Sequence, residues 1–308
     1  MTAAAVSQAP ATTSRFSPRW LADRLSGVVL HIAVISLTVA WLVPTAGLLV
    51  TSFRNPVAIG NSGWWTALAP PFKFTLDNYQ QMFATSNLGQ SFFNSFMISI
   101  PATVIPVTIA AFAAYAFTWM KFPGRDWIFL ALVGLLAVPL QLTFVPIQKV
   151  LVAAQLTPEH LIAIGLPPFI PLWLAHAGYG LPFSIYLLSN FFRALPSDLF
   201  ESAEIDGAGT LTVFFRIVLP LSVPALASLV IFQFLWVWND LLVALIYVGG
   251  TADVAPVTVT LVNMIDTLGN NYQLLTAAAF FSMIVPLIVF LSLQRYFVRG
   301  ILAGSVKG

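Results

Sequence analysis

"NSFMISIPATVIPVTIAAFAAYAFTWM", residues 94–120, runs for 27 residues without one charged side chain. It lies within a longer uncharged interval, 78–120, and five more follow the same rule: 25–53, 127–148, 160–192, 217–239 and 267–294. A helix needs roughly 20 apolar residues to cross the hydrocarbon core of a bilayer, so each interval is long enough. Backbone polar groups cannot stay unpaired in lipid, and strands of a membrane barrel are only about 10 residues long, so these runs read as helices. The whole chain agrees: 59% of its 308 residues are hydrophobic, 8% are charged and the mean hydropathy is +0.90. A soluble domain carries about 25% charged residues. The expected fold is an all-α membrane protein with six transmembrane helices.

The spans are expected at about 27–53, 91–120, 127–148, 160–192 (interrupted), 219–247 and 274–298, within a domain covering 25–300. Residues 1–24 read as a disordered tail and 301–308 as a second tail. With six crossings both termini share a face. That face would hold Arg15, Arg19, Arg24, Lys121, Arg125, Arg193, Arg216, Arg295, Arg299 and Lys307, ten of the thirteen basic residues, leaving Arg54, Lys73 and Lys149 opposite. Basic loops are retained in the cytoplasm, so both termini are expected there. The basic residues are spread as topology signals and form no patch for nucleic acid.

The interruptions carry information. "IGLPPFIPLWLAHAGYGLPFSIYLL", 164–188, holds four prolines and three glycines, so the fourth span is either bent or preceded by a short outside segment before a crossing near Gly178–Phe192. Pro101 and Pro106, and Pro139 and Pro146, point more weakly to breaks in the second and third spans. Between the first two spans, "NSGWWTALAPPFKFTLDNYQQMF" offers Trp64, Trp65, Phe72, Phe74 and Tyr79, either as an interfacial aromatic belt or as a docking surface. Pro70, Pro71 and Gly63 argue against a continuous helix there.

Polar groups inside spans are functional candidates by default, here Asn94, Gln141, Gln233, Asn239 and Asp240. In "FQFLWVWNDLL", Gln233, Trp236 and Asp240 stand at i, i+3 and i+7 on one helical face. Two readings stay open: an outer interfacial position for Trp236 and Asp240, or a polar cavity where an indole stacks on a sugar and amides bond its hydroxyls. His31, His160 and His176 are isolated in sequence and there is no cysteine, which argues against a metal site and rules out disulfides. No G-x-x-x-x-G-K-[ST] loop exists, so any ATP must be bound by another subunit.

The most polar stretch of the second half is "LPSDLFESAEIDGAG", 195–209. Ser197 reads as an N-cap, Asp198 and Glu201 suit the first turn, and Gly207 reads as a terminator, which gives a short helix. Phe200, Ala203 and Gly207 would form a face of one aromatic and two small residues open to a partner. A second short helix is expected from Thr210, with Pro220 opening the fifth span and with Phe214, Phe215 and Ile217 exposed unless they pack under the membrane or on a partner.

That stretch resembles the EAA loop of binding-protein-dependent ATP-binding cassette (ABC) importer permeases, matched at Glu201, Ala203, Asp206, Gly207, Ala208, Ile217, Leu219 and Pro220, with Ser202 where the family has a second alanine. The segments quoted above, "VPLQLTFVPIQ" and the terminal "LQRYFVRGILAGSVKG" look like carbohydrate-uptake permeases of the maltose-transporter type, second-permease branch. The resemblance covers about residues 25–308. It implies a type I ABC importer permease fold in a bacterial or archaeal cell membrane, with an EAA coupling loop at 196–220. It also implies four kinds of partner: a sister permease, an ATPase dimer that binds ATP and Mg, an extracytoplasmic sugar-binding protein and the sugar. No cofactor is expected in this chain, which would be a transport subunit and not an enzyme. An α-glucoside such as maltose or trehalose is the leading substrate expectation; other oligosaccharides, monosaccharides or glycerol phosphate derivatives are alternatives. A secondary transporter or a membrane-embedded enzyme would need an ion-coupling or reactive constellation that the chain does not display.

Overall fold

The computed structural model describes residues 18–268 and 272–305, and among them the only β pairing is an isolated bridge between Arg54 and Phe74. The main helices are α1 (Pro18–Ser52), α2 (Leu88–Trp119), α3 (Arg125–Leu135), α4 (Phe144–Ala153), α5 (Ile170–Arg193), α6 (Ser197–Ile205), α7 (Val223–Trp238), α8 (Leu242–Tyr247), α9 (Val257–Leu268) and α10 (Tyr272–Ser305). Among the described residues, three stretches are long and apolar enough to cross a membrane: Gly27–Ser52, Leu88–Trp119 and Tyr272–Gln294. Two pairs of helices bent at a break raise the total to five.

Prolines stand at several of the departures from the expected spans. The third span is not one helix: α3 ends at Leu135, Pro139 adopts an extended ψ of 127°, and the chain resumes at an angle of 101°. Proline lacks a donor and disfavours helical backbone in the residue before it, which fits the break at Pro139; α2, by contrast, runs unbroken through Pro101 and Pro106. In the fourth interval a short helix, Pro158–Ala163, stops at Gly165, Pro167 and Pro168 follow, and α5 begins at Ile170, well before Gly178. The fifth span opens at Val223 with Pro224 in its first turn. Pro220 instead belongs to the preceding Thr210–Leu221 segment, which meets α7 at 75°. The fifth span also ends early, at Trp238, and restarts as α8. Helix α1 begins at Pro18, inside the stretch expected as a tail, and α10 continues to Ser305. Residues 1–17 and 306–308, Arg15 and Lys307 among them, lie outside the described residues.

Helices α2 and α5 form the central pair, α7 packs on both and on α10, and α1 leans on α10. The buried residues of α2 include the small Ser91, Ser95, Ser99, Ala102, Ala110 and Ala114, with Ser91 and Ser95 bonded to Thr260 and Val257 of α9, and those of α5 include Ala175, Ala177, Gly180, Ser184 and Ser189. Lipid gives helices no hydrophobic reason to associate, so close approach through small side chains supplies the packing energy. Gly180 marks a close approach of α5 to α7: a Cβ there would stand 2.6 Å from Gln233 Oε1. Helix α1 is exposed along nearly its whole apolar length, with Trp41 at 75%, as a helix facing lipid or another chain must be.

Between α1 and α2 the chain makes a compact knob. Arg54, itself buried, donates to the Ala58 carbonyl (2.8 Å), the Ser62 carbonyl (3.1 Å) and the Ser62 hydroxyl (2.6 Å). The Asn78 amide donates to the carbonyls of Ser52 and Arg54 at 2.7 and 2.9 Å. Of the aromatics noted there, Trp65, Phe72 and Phe74 are exposed, whereas Trp64 and Tyr79 are half-buried.

Candidate functional site

Two places combine unusual residues with defined geometry. The first is α6. Pro196, not Ser197, occupies the cap position; Ser197 is the first helical residue and its hydroxyl turns to Asp198 at 3.4 Å. The other end is firmly closed. The Ala208 N–H donates to Ala203 O (2.9 Å) and the Gly207 N–H to Glu204 O (3.0 Å), with Gly207 at φ +71°. This crossed pair is the Schellman arrangement, and it needs a left-handed residue where glycine sits.

The face expected to await a partner is turned inward. Phe200 stacks on Trp119, at the end of α2, with centroids 3.6 Å apart, and Ala203 is 7% exposed in a core with Phe192, Val213 and Phe214. Phe214 is likewise buried, stacked on Phe112 at 4.6 Å, while Phe215 is exposed and Ile217 half-buried. The outward side of α6 consists of Glu201, Ser202, Glu204, Asp206 and Ile205, the last 86% exposed. Leu211 and Pro220 are exposed beyond it, and Ala208 and Leu219 are half-buried. The following segment is tied to α2 by the Tyr115 hydroxyl donating to Thr210 O at 3.2 Å. Helix α6 is therefore a short rod clamped at its inner face and bare at its outer one.

The second place is the end of α7. The expected common face of Gln233, Trp236 and Asp240 divides. Gln233 is buried between α2 and α5, its amide donating to Ala102 O (3.2 Å) and His176 O (3.4 Å), and Trp236 is 38% exposed. Two residues three apart sit about 60° apart around a helix, so one can be buried and the other not. Asp240 lies past the helix end, half-buried, and its carboxylate accepts the N–H groups of Val243 (3.3 Å) and Ala244 (3.0 Å), capping α8. Its own carbonyl accepts the Thr258 hydroxyl at 2.5 Å. Asn239 is exposed and bonds back to Leu235 O. Gln141 is exposed on the turn before α4, away from the buried core. Asn94 is buried and used up, donating to Asp253 O (2.9 Å) and Ala255 O (3.1 Å) while accepting from Gln90 (3.0 Å).

One contact at this corner was not legible in the sequence. His176 is not isolated in space: its Nε2 stands 3.7 Å from Asp240 Oδ2 and its ring meets the Trp236 indole edge-on at 5.4 Å. A histidine inside an apolar run was a signal by itself; its partner, 64 positions later, was not. Near the far end of α2 from α6, Thr85, Asn87, Thr260 and Asn263 help line a hollow of ≈ 180 Å³. That is below the about 300 Å³ at which small-molecule sites begin.

The sequence profile of the family described as "Binding-protein-dependent transport system inner membrane component" matches residues 16–303. The chain is 53% identical over 282 residues to the osmoprotective compounds uptake permease protein GgtD of Synechocystis sp., covering 90% of this chain and 91% of that one. It is 48% identical over 260 residues to the alpha-glucoside transport system permease protein AglG of Rhizobium meliloti, covering 84% and 67%. Among solved structures, a chain of a bacterial ABC transporter involved in the import of alginate superposes with a TM-score of 0.75 at 19% identity, covering 92% of this chain and 100% of that one. At that identity the likeness concerns the fold.

Proposed function

The chain belongs to the family of binding-protein-dependent transport system inner membrane components, and from that premise we propose that it is a permease subunit of an ATP-driven importer carrying a neutral α-glucoside such as maltose or trehalose. The observation that carries the ATP-driven part is α6: clamped to its own chain by the Trp119–Phe200 stack, closed at Gly207, and bare along Glu201, Ile205 and Asp206. Such a rod passes rigid-body motion from a partner into the membrane helices. In this reading Glu201, Ser202, Asp206 and Ile205 meet a partner ATPase, which holds the ATP and Mg. Ala203, Ala208, Ile217 and Leu219 fix the rod from within, Gly207 closes its end, and Pro220 belongs to the arm that joins it to α7.

Six crossings with cytoplasmic termini fit the helices if the broken α3–α4 region, α5 and the bent α7 region each count as one. Helix α5, Ile170–Arg193, is long enough to cross a bilayer and packs along α2. The Trp119–Phe200 stack brings the loops around Lys121, Arg125 and Arg193 to the α6 end, in keeping with a cytoplasmic position for it.

The AglG relative supports an α-glucoside. So does charge: α2, α7 and the α5 residues before Arg193 carry no Lys or Arg, and the ionisable groups at the α7 corner are His176 and Asp240. A glycerol phosphate derivative would meet a carboxylate there without a cation. A sister permease would complete a binding surface around Trp236 and Asn239, and a sugar-binding protein would deliver the cargo. A second reading, a polar osmolyte, is favoured by the higher identity to GgtD. The test is co-purification with the sister permease, ATPase and binding protein, followed by ATP hydrolysis with maltose, trehalose, glycerol 3-phosphate and a zwitterionic osmolyte. Stimulation by the α-glucosides is expected. Stimulation by glycerol 3-phosphate alone rejects the substrate reading, and uptake that survives loss of the ATPase rejects the importer reading.

A further inference from the structure

We infer that His176 is a positioning residue for the substrate-facing surface at the end of α7, acting on Trp236 and Asp240; the inference rests on the pathway role proposed for that surface. His176 lies in α5, is 1% exposed, and neither ring nitrogen makes a hydrogen bond. A buried imidazole in that condition is a net cost to folding, and a phenyl ring would fill the same space without it. Packing therefore accounts for a ring at this position but not for its nitrogens. What Nε2 faces is Asp240 Oδ2, at 3.7 Å. Closing that gap to a hydrogen bond takes a shift of about 0.8 Å, within reach of a side-chain rotation.

Asp240 is the junction of three elements. Its backbone ends α7, its carboxylate starts α8 and its carbonyl holds Thr258 of α9. His176 adds α5 to that junction and presses edge-on against Trp236, the exposed member of the group. A sugar ring stacked on the indole loads the imidazole and moves its Nε2–H toward the carboxylate. The indole then keeps one orientation toward the sugar, and α5 and α7 are joined at the moment of binding. His176 does not touch the sugar; its effect is on how well Trp236 is held.

The experiment uses the complete reconstituted transporter and uptake of labelled maltose or trehalose, whichever the wild type carries, with His176→Phe, Asp240→Asn, the double variant and Trp236→Ala. Assembly and the thermal midpoint are measured alongside. His176→Phe is expected to assemble with an equal or higher midpoint, to keep its maximal rate within about twofold, and to raise KM about tenfold, equivalent to about 1.4 kcal/mol. Asp240→Asn should raise KM as well, and the double variant should be no worse than the larger single effect, because groups acting as a unit are not additive. A wild-type KM in His176→Phe, a lowered maximal rate at unchanged KM, or additive effects overturns the inference. Trp236→Ala is read separately: an unchanged KM removes the pathway surface and this inference with it, whereas a raised KM beside a wild-type KM in His176→Phe removes only the role of His176.

Discussion

Replacing Ile205 by serine is the sharpest test of α6. Ile205 is 86% exposed, so the change breaks almost no contact within the chain, and stability should stay within about 0.5 kcal/mol of wild type. If α6 seats in a partner ATPase, the same side chain becomes buried there, and burying an isoleucine contributes about 1.5–3 kcal/mol. Losing it should weaken the permease–ATPase association by about 10- to 100-fold. The assay is capture of the purified ATPase by detergent-solubilised permease over a concentration series, with sugar-stimulated ATP hydrolysis in vesicles as the second readout. Ala203→Leu is the matched control on the opposite face. Ala203 is 7% exposed among Phe192, Val213 and Phe214, so the larger side chain should overpack the core and cost about 1–3 kcal/mol of stability. Wild-type ATPase affinity in the Ile205→Ser variant would refute the assignment of the outward face.

Gly207→Val should lose the Schellman closure, because a β-branched residue at φ +71° costs upwards of about 1–2 kcal/mol, and ATP-driven uptake should fall while membrane insertion persists; uptake in vesicles and membrane fractionation check both. Asn94→Leu should strand the carbonyls of Asp253 and Ala255 and destabilise the subunit by about 1–3 kcal/mol, measured as a lower thermal midpoint of the purified complex. Gly180→Leu should separate α5 from Gln233 and abolish stable expression, whereas Gly178→Ala, where an added Cβ meets nothing within 4 Å, should be tolerated; detergent-resistant yield distinguishes them.

The membrane class and the family were legible because charge-free length and the EAA pattern are local signals. Helix ends were less so. Pro139 and Pro167–Pro168 announced breaks, but which helix a proline would start depended on tertiary bends: Pro220 and Pro224 are equally acceptable first-turn residues, and only the 75° turn between them decides. The glycine terminator of the short helix followed from cap chemistry, yet its N-cap, Pro196 in place of Ser197, and its orientation did not. Phe200 and Ala203 look free until Trp119, 81 positions before Phe200, is found stacked on the helix. Asn94 and Gln233 stood out as polar groups in apolar runs, and that polarity is consumed by backbone carbonyls: those of Asp253 and Ala255 in the loop before α9 for Asn94, and those of Ala102 and His176 in α2 and α5 for Gln233. The His176–Asp240 approach joins two helices with no shared motif, so no spacing rule could have revealed it.

The knob held by Arg54 has a further consequence. Its guanidinium is satisfied by carbonyls and hydroxyls, and among the described residues no carboxylate forms an ion pair with it. None of those acceptors gains or loses a proton between about pH 4 and 9, and at these short distances mobile ions screen little. A knob built on an ion pair would loosen as its surroundings turned acidic or saline. This one should keep its shape through both, so the surface it presents between α1 and α2 stays the same whatever the state of the solution around it.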